Sequence, residues 1–269
     1  MTNLDTSFAG SIPAIYDRFL GPLIFEPYAV DLAGRVAGLS PRKVLETAAG
    51  TGIVTGELVK RLAPGTTIMA TDLNPAMLEV AAGKVKSPNV SWRQADATAL
   101  PFEDASFDAV TCQFGVMFFP DKVKAYREAH RVLRPGGHFI FNVWDRIELS
   151  EMAHTVSDAA AAFFAENPPQ FFRRTPHGYY DVTAIRDALG QAGFGKVDVE
   201  HVAKRSRAGS HRDPAIGFCQ GTPLRSEIEA RDPKQLEAVT EAAAQALARR
   251  FGQGPIEGGI QAIVIDARR

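Results

Sequence analysis

The segment VLETAAGTGIVTGEL, Val44 to Leu58, constrains this chain more than any other. A short apolar run enters it, Gly50 and Gly52 sit at its bend, and apolar residues at helical spacing leave it. Glycine permits a tight turn there and lets a ligand approach the backbone closely. Asp72 closes the next apolar run roughly 20 residues later, where an acid grips ribose hydroxyls in nucleotide-binding βαβ units. A Gly-x-Gly pair alone is common in turns. The strand before it, the helix after it and the acid beyond give this one weight.

From Lys43 onward, short apolar runs alternate with helical stretches, the signature of parallel βαβ units. Strands are predicted near Lys43–Ala48, Thr66–Thr71, Val90–Ala95, Asp108–Gln113 and His138–Trp144. Helices fall near Ile53–Leu62, Pro75–Val85 and Lys122–Leu133, with Asn74 as a cap ahead of Pro75. The RPGG run, Arg134 to Gly137, is expected to end a helix and turn into the fifth strand. Upstream, residues 1–40 form an aromatic-rich helical lead in which Tyr28, Leu32, Val36 and Leu39 recur at helical intervals before Pro41. Downstream, helices are expected at Glu151–Glu166, Val182–Ala192 (capped by Asp181) and Pro233–Phe251, with strands at Lys196–Lys204 and Ile260–Ala267. The pattern predicts one α/β domain over residues 1–269, with a core at 43–145. Insertions at 146–180 and 207–255, after the fifth and sixth strands, would cap a substrate.

The sign of one charge narrows the ligand. A dinucleotide site wants a third small residue opening the helix, and Thr55 stands there. Glu46 lies at the entry of the glycine turn; beside a pyrophosphate its carboxylate would repel, whereas beside a sulfonium amino acid it would attract. That favours S-adenosylmethionine over a nicotinamide cofactor. An NAD-dependent oxidoreductase is the weaker alternative, since no Tyr-x-x-x-Lys pair lies near the fourth or fifth strand.

These residues carry a family likeness. Glu46-Thr-Ala-Ala-Gly-Thr-Gly52, then Asp72-Leu-Asn-Pro with Met77, then Gln94-Ala-Asp-Ala97, Leu100-Pro-Phe102, Ser106-Phe-Asp108 and RVLRPGG from Arg131 to Gly137 occur in order and spacing. The chain resembles the class I S-adenosylmethionine-dependent methyltransferases, especially the branch of ubiquinone and menaquinone biosynthesis, over roughly Lys43 to Trp144. The resemblance implies a Rossmann-like, seven-stranded, mostly parallel sheet with helices on both faces. It further implies that Glu46 and the backbone of Ala48, Gly50, Thr51 and Gly52 face the methionine part of the cofactor. Asp72 would accept from both ribose hydroxyls, Leu73 and Met77 would pack on adenine, and Asp96 would accept from the adenine amine beside the Ala97 amide. Gln113 would border the methionine end, and Tyr16, in the YDRF lead, would fold over the cofactor. One position departs from the pattern: Ala48 replaces the first glycine, which is tolerable if its φ is negative and puts the site in doubt if φ must be positive.

Each reading has a plainer rival. Asp72 could be a solvated strand end, Glu46 and Asp96 caps, Gln113 a turn brace, Tyr16 an anchor of the lead, and Met77 core packing. Phe114, Phe118 and Phe119 fit a core or the wall of an apolar pocket equally. His130 and His138 read as helix-face and strand residues, and His154, His177 and His211 as residues of the insertions; none stands out as a general base.

Composition removes other classes. The formal net charge is −1, so nothing advertises nucleic acid or an anionic membrane. No apolar run approaches the roughly 18 residues of a spanning helix, and no secretory leader is expected. Cytoplasmic residence is the expectation, with the two cysteines, Cys112 and Cys219, as reduced thiols. No metal-ligand spacing appears. Methyl transfer from a sulfonium is an in-line displacement that needs no nucleophilic triad, and the sequence contains none. The expected acceptor is a small, partly apolar molecule, methylated on carbon or oxygen. The run Gln113-Phe-Gly-Val lacks the Asp/Asn-Pro-Pro-aromatic pattern that holds planar nucleobase amines, while Arg173, Arg174 and Arg225 would suit an acidic group. A catalytically silent cofactor-binding regulator is the rival from another class, and turnover separates the two. The aromatic lead and inserted helices would support a homodimer.

Overall fold

The computed structural model describes Gly10 and residues 12–269. Seven strands form one sheet: β1 (Lys43–Glu46), β2 (Thr67–Asp72), β3 (Val90–Gln94), β4 (Phe107–Gln113), β5 (Leu133–Trp144), β6 (Lys196–Ala208) and β7 (Ile256–Arg268), in the order β3-β2-β1-β4-β5-β7-β6. The first five strands pair in parallel. β7 runs against β5, because Gly137 accepts from the Arg269 amide while His138 Nδ1 lies 2.7 Å from Asp266 Oδ1. Strand order reverses between β1 and β4, and such a reversal leaves a crevice at the carboxyl ends of the strands. The mostly parallel seven-stranded sheet expected from the sequence is present.

The helices, in chain order, are α1 (Ile12–Ile15), α2 (Glu26–Gly38), α3 (Ile53–Arg61), α4 (Pro75–Lys84), α5 (Lys122–Val132), α6 (Glu151–Phe163), α7 (Phe171–Arg174), α8 (Val182–Gln191), α9 (Arg212–Gln220), α10 (Leu224–Arg231) and α11 (Leu236–Phe251). A π-helix, Tyr16–Phe25, joins α1 to α2 and contains Pro22, which has no amide to donate. The chain divides into two compact units: residues 27–143, 180–202 and 263–269 form the first, and residues 12–26, 144–179 and 203–262 the second.

In the first unit, α2 buries Ala29, Leu32, Ala33 and Val36, an i, i+3, i+4, i+7 stripe. The stripe belongs to a cluster with Val54 and Leu58 of α3 and with Val44, Ile68, Ala109, Ile140 and Val264 of the sheet. Each large aliphatic side chain so buried contributes about 1.5–3 kcal/mol. Alternation along β5 turns Phe139 and Phe141 to the opposite face, where Tyr126 of α5 meets them at ring distances of 5.8 and 5.5 Å. Helices therefore cover both faces. The expected caps form: Asn74 accepts from the Ala76 amide and Asp181 from those of Thr183 and Ala184. The RPGG run behaves differently from expectation. It lies within β5 as a bulge, since Phe107 pairs with Leu133 but Ala109 with His138, and Gly136 takes φ 77°.

In the second unit, α9 and α11 pack with α6, and Phe172 meets Phe218 edge-on at 5.5 Å. α6 stops at Phe163 rather than Glu166. α11 begins at Leu236 rather than Pro233, because Asp232 accepts from the Lys234 amide in a turn of its own. His177 is buried there, with Nδ1 2.7 Å from the Asp145 carbonyl, and burial pushes it down to about 4. Both cysteines are free and buried. No helix among the described residues is long and apolar enough to cross a membrane.

Candidate cofactor site at the carboxyl ends of the strands

Strand register assembles the site within the first unit. Glu46 pairs with Ala70 of β2 and Thr111 of β4, and Thr111 pairs with Ile140 of β5. Residues in register share a face, and residues two further along return to it. Asp72, Gln113 and Asn142 therefore stand one step beyond that row, on the same face and at the same end as Glu46.

Glu46 is 1% exposed, and its Oε2 accepts a 2.6 Å hydrogen bond from Thr55 Oγ1. Thr55, out of place in a dinucleotide motif, is thus the partner of the buried acid, and the two residues explain each other. Burial pushes the Glu46 carboxyl up to about 8; the neighbouring Asp72 charge adds to the rise, and the Thr55 hydrogen bond opposes it. The glycine turn takes the left-handed conformation at three positions, Ala48 (φ 53°), Gly50 (φ 56°) and Gly52 (φ 80°). Ala48 thus has the positive φ that counts against the cofactor site on the sequence criterion, and an L-residue occupies the strained position. A β-carbon added at Gly50 would meet nothing within 4 Å, so the turn is open on that side. At Gly52 the same atom would come within 3.0 Å of the Ala81 methyl, so this glycine is required by packing against α4.

Asp72 ties the second strand to this turn. Its Oδ2 accepts from the Gly50 amide at 2.9 Å and its Oδ1 from the Asn74 amide at 2.8 Å, while burial raises its carboxyl above the usual range. Each carboxylate oxygen retains a further lone pair for a hydroxyl. Asp96, just past β3, is exposed and receives the amide and hydroxyl of Thr98, both at 2.8 Å, through one oxygen. Ala97 beside it is half-buried. Met77 is buried in α4, and Leu73 is 58% exposed next to Asp72. Gln113 ends β4 in register with Asn142. Tyr16 belongs to the second unit, where it stacks on Phe25 at 4.7 Å.

Thr51 Oγ1 and Asn142 Nδ2 are among the buried polar atoms of the first unit that have no hydrogen-bond partner. Thr51 lies between the two glycines, and an orphaned hydroxyl beside an open glycine turn and a buried acid suits a ligand carrying both a carboxylate and an ammonium group. The donor set fits S-adenosylmethionine in that respect. Cys112 sits under the turn, its thiol pushed up to about 12 by burial, and so is no nucleophile. No cluster of three or more His, Cys, Asp or Glu among the described residues could hold a metal. Sequence reading missed Asn142, whose signal was a lone amide in the apolar run Phe139-Ile-Phe-Asn-Val-Trp144.

A family model described as a methyltransferase domain matches residues 45–141. Over this stretch and beyond, the chain resembles methyltransferases of quinone biosynthesis. The ubiquinone/menaquinone biosynthesis C-methyltransferase UbiE of Idiomarina loihiensis is 29% identical over 197 residues, 66% of this chain and 75% of that protein. The demethylmenaquinone methyltransferase of Thermus thermophilus is 43% identical over 114 residues, 42% of this chain and 50% of that protein. Apart from the first, the chain spans about half the length of the curated relatives it matches. Among solved structures, a phosphoethanolamine N-methyltransferase 2 of Haemonchus contortus, in complex with phosphomonomethylethanolamine and S-adenosylhomocysteine, shares the fold. Its TM-score is 0.62 at 16% identity, covering 99% of this chain and 59% of that one.

Proposed function

We propose that this chain transfers the methyl group of S-adenosylmethionine to carbon or oxygen of a small, partly apolar acceptor. The observation that carries the reading is the pairing of Glu46, buried at the foot of an open glycine turn, with Asp72, whose carboxylate spans Gly50 and Asn74. The cofactor supplies an activated methyl group on sulfur, so the chain's own work is to bind, orient and exclude water. Glu46 and Thr51 would take the amino-acid part, Asp72 the ribose, Asp96 and Ala97 the adenine edge, with Leu73 and Met77 against its faces and Gln113 at the methionine end. The relatives named for quinone biosynthesis support an acceptor with an apolar ring. Incubating the chain with S-adenosylmethionine and a panel of phenols, quinols and small acids tests this by mass spectrometry. A mass gain of one methylene on a ring-bearing acceptor is expected. Cofactor binding with no methylated product across the panel would favour the silent regulator instead.

A further inference from the structure

At the amino ends of β1, β4 and β5, the other end of the strands from Glu46 and Asp72, the first unit carries a cleft of about 450 Å³. That volume suits a small organic molecule. The bulge in β5 builds it. Arg134 to Gly137 are inserted between the Phe107–Leu133 and Ala109–His138 pairs, and a bulge re-aims the side chains it carries. Arg134 Nη1 donates to Asp108 Oδ1 on β4, while Asp108 Oδ2 accepts from the Arg42 amide at 2.9 Å and the Lys43 amide at 2.8 Å. Three strands are thus tied at one carboxylate.

Leu39, Pro41 and Pro135 give the cleft apolar surface, while Arg42 and Arg134 set two guanidinium groups against one carboxylate, Asp108. That carboxylate is already held by three N–H donors. Arg134 gives one of its donors to Asp108 and the Arg42 side chain gives none; their other donors have no partner among the described residues. Both arginines are exposed. His138, also on the lining, is engaged at both ring nitrogens, by Asp266 at 2.7 Å and by Arg268 at 3.3 Å. At Gly136, with φ 77°, a β-carbon would meet nothing within 4 Å, so the cleft is open on that side. A guanidinium fork matches two oxygens of a phosphate or carboxylate at once. We propose that this cleft binds a small organic oxoanion, a phosphate or carboxylate on an apolar body, with Arg42 and Arg134 on its oxygens. The site is separate from the cofactor crevice and stands independently of the methyltransferase reading.

Calorimetric titration of the full chain with phenyl phosphate, benzoate, inorganic phosphate and benzyl alcohol tests it. Phenyl phosphate or benzoate should bind saturably at one site, and the tighter of the two names the head group. Inorganic phosphate lacks the apolar body and benzyl alcohol lacks the charge, so each should bind about tenfold more weakly or worse. Arg42→Gln and Arg134→Gln should each lose about tenfold in affinity for the tighter ligand. Arg134→Lys keeps a cation beside Asp108 without the fork; it serves if Arg134→Gln fails to fold, and should lose roughly threefold or more. Saturating S-adenosylhomocysteine should leave the affinity unchanged. The proposal is overturned by the absence of saturable binding, by unchanged affinity in the arginine variants, or by equal binding of benzyl alcohol or inorganic phosphate. Displacement by S-adenosylhomocysteine also overturns it, by placing the ligand in the cofactor crevice.

Discussion

The methyl group of Ala48 fills the space that a side chain on Gly115 would need: a β-carbon at Gly115 would sit 2.4 Å from it and 2.7 Å from Cys112 Sγ. The alanine in the first loop and the glycine after β4 are one packing unit. Gly115→Ala should therefore destabilise by about 1–3 kcal/mol, the scale of overpacking a dense core. Ala48→Gly, which relieves a left-handed L-residue, should be neutral or slightly stabilising, and should recover part of the loss in the double variant. Urea unfolding of the four proteins checks the cycle. Strict additivity would show that the two sites do not touch.

Thr55 gives the buried Glu46 its side-chain hydrogen bond. Thr55→Val removes the hydroxyl at nearly constant volume and leaves a buried carboxyl less satisfied, a loss of roughly 1–3 kcal/mol, while Thr55→Ser should keep most of the stability. Equal unfolding midpoints for all three proteins would mean that this bond contributes nothing.

The elevated Glu46 carboxyl predicts a pH slope. Below its ordinary value of 4.5 the group is protonated in both states; between there and about 8 the unfolded chain gives up its proton while the folded chain keeps it. The folded state therefore loses stability as pH rises through this window, and the loss levels off above it. Glu46→Gln should lack that component, so wild type should weaken relative to the variant between about pH 5 and about pH 8 in urea titrations. Parallel pH profiles would refute a neutral buried Glu46.

An ammonium group placed beside Glu46 should reverse that protonation. Binding of S-adenosylhomocysteine near neutral pH should release a proton from Glu46, seen as a calorimetric enthalpy that varies with the ionisation heat of the buffer. Glu46→Gln should show no such release from this site. Buffer-independent heats in wild type would place the ammonium group elsewhere.

The parts legible in the sequence were those with a local cause. Strands and helices of the core followed from apolar period, and Asn74 and Asp181 from capping chemistry, because each is decided within a few residues. Asp72 was found by its distance from the glycine turn, but its grip on the Gly50 amide was not, since that bond joins the turn to a strand end 22 residues away. Thr55 looked like a flaw until Glu46 was placed beside it. The φ of Ala48 and the need for glycine at 115 arise only when the loops after β1 and β4 meet. RPGG was expected to turn into the fifth strand, and only its pairing with β4 shows it to be a bulge within β5. Asn142 escaped because its Oδ1 accepts from the Phe114 amide, 28 residues away in the chain.

The most direct test is calorimetric titration of the full chain with S-adenosylhomocysteine and, separately, with NADH, in wild type and in Asp72→Ala. Wild type should bind S-adenosylhomocysteine saturably at one site and leave NADH unbound, and the variant should lose about 1–3 kcal/mol of that binding. NADH binding without S-adenosylhomocysteine binding, or an affinity that Asp72→Ala leaves untouched, would contradict it.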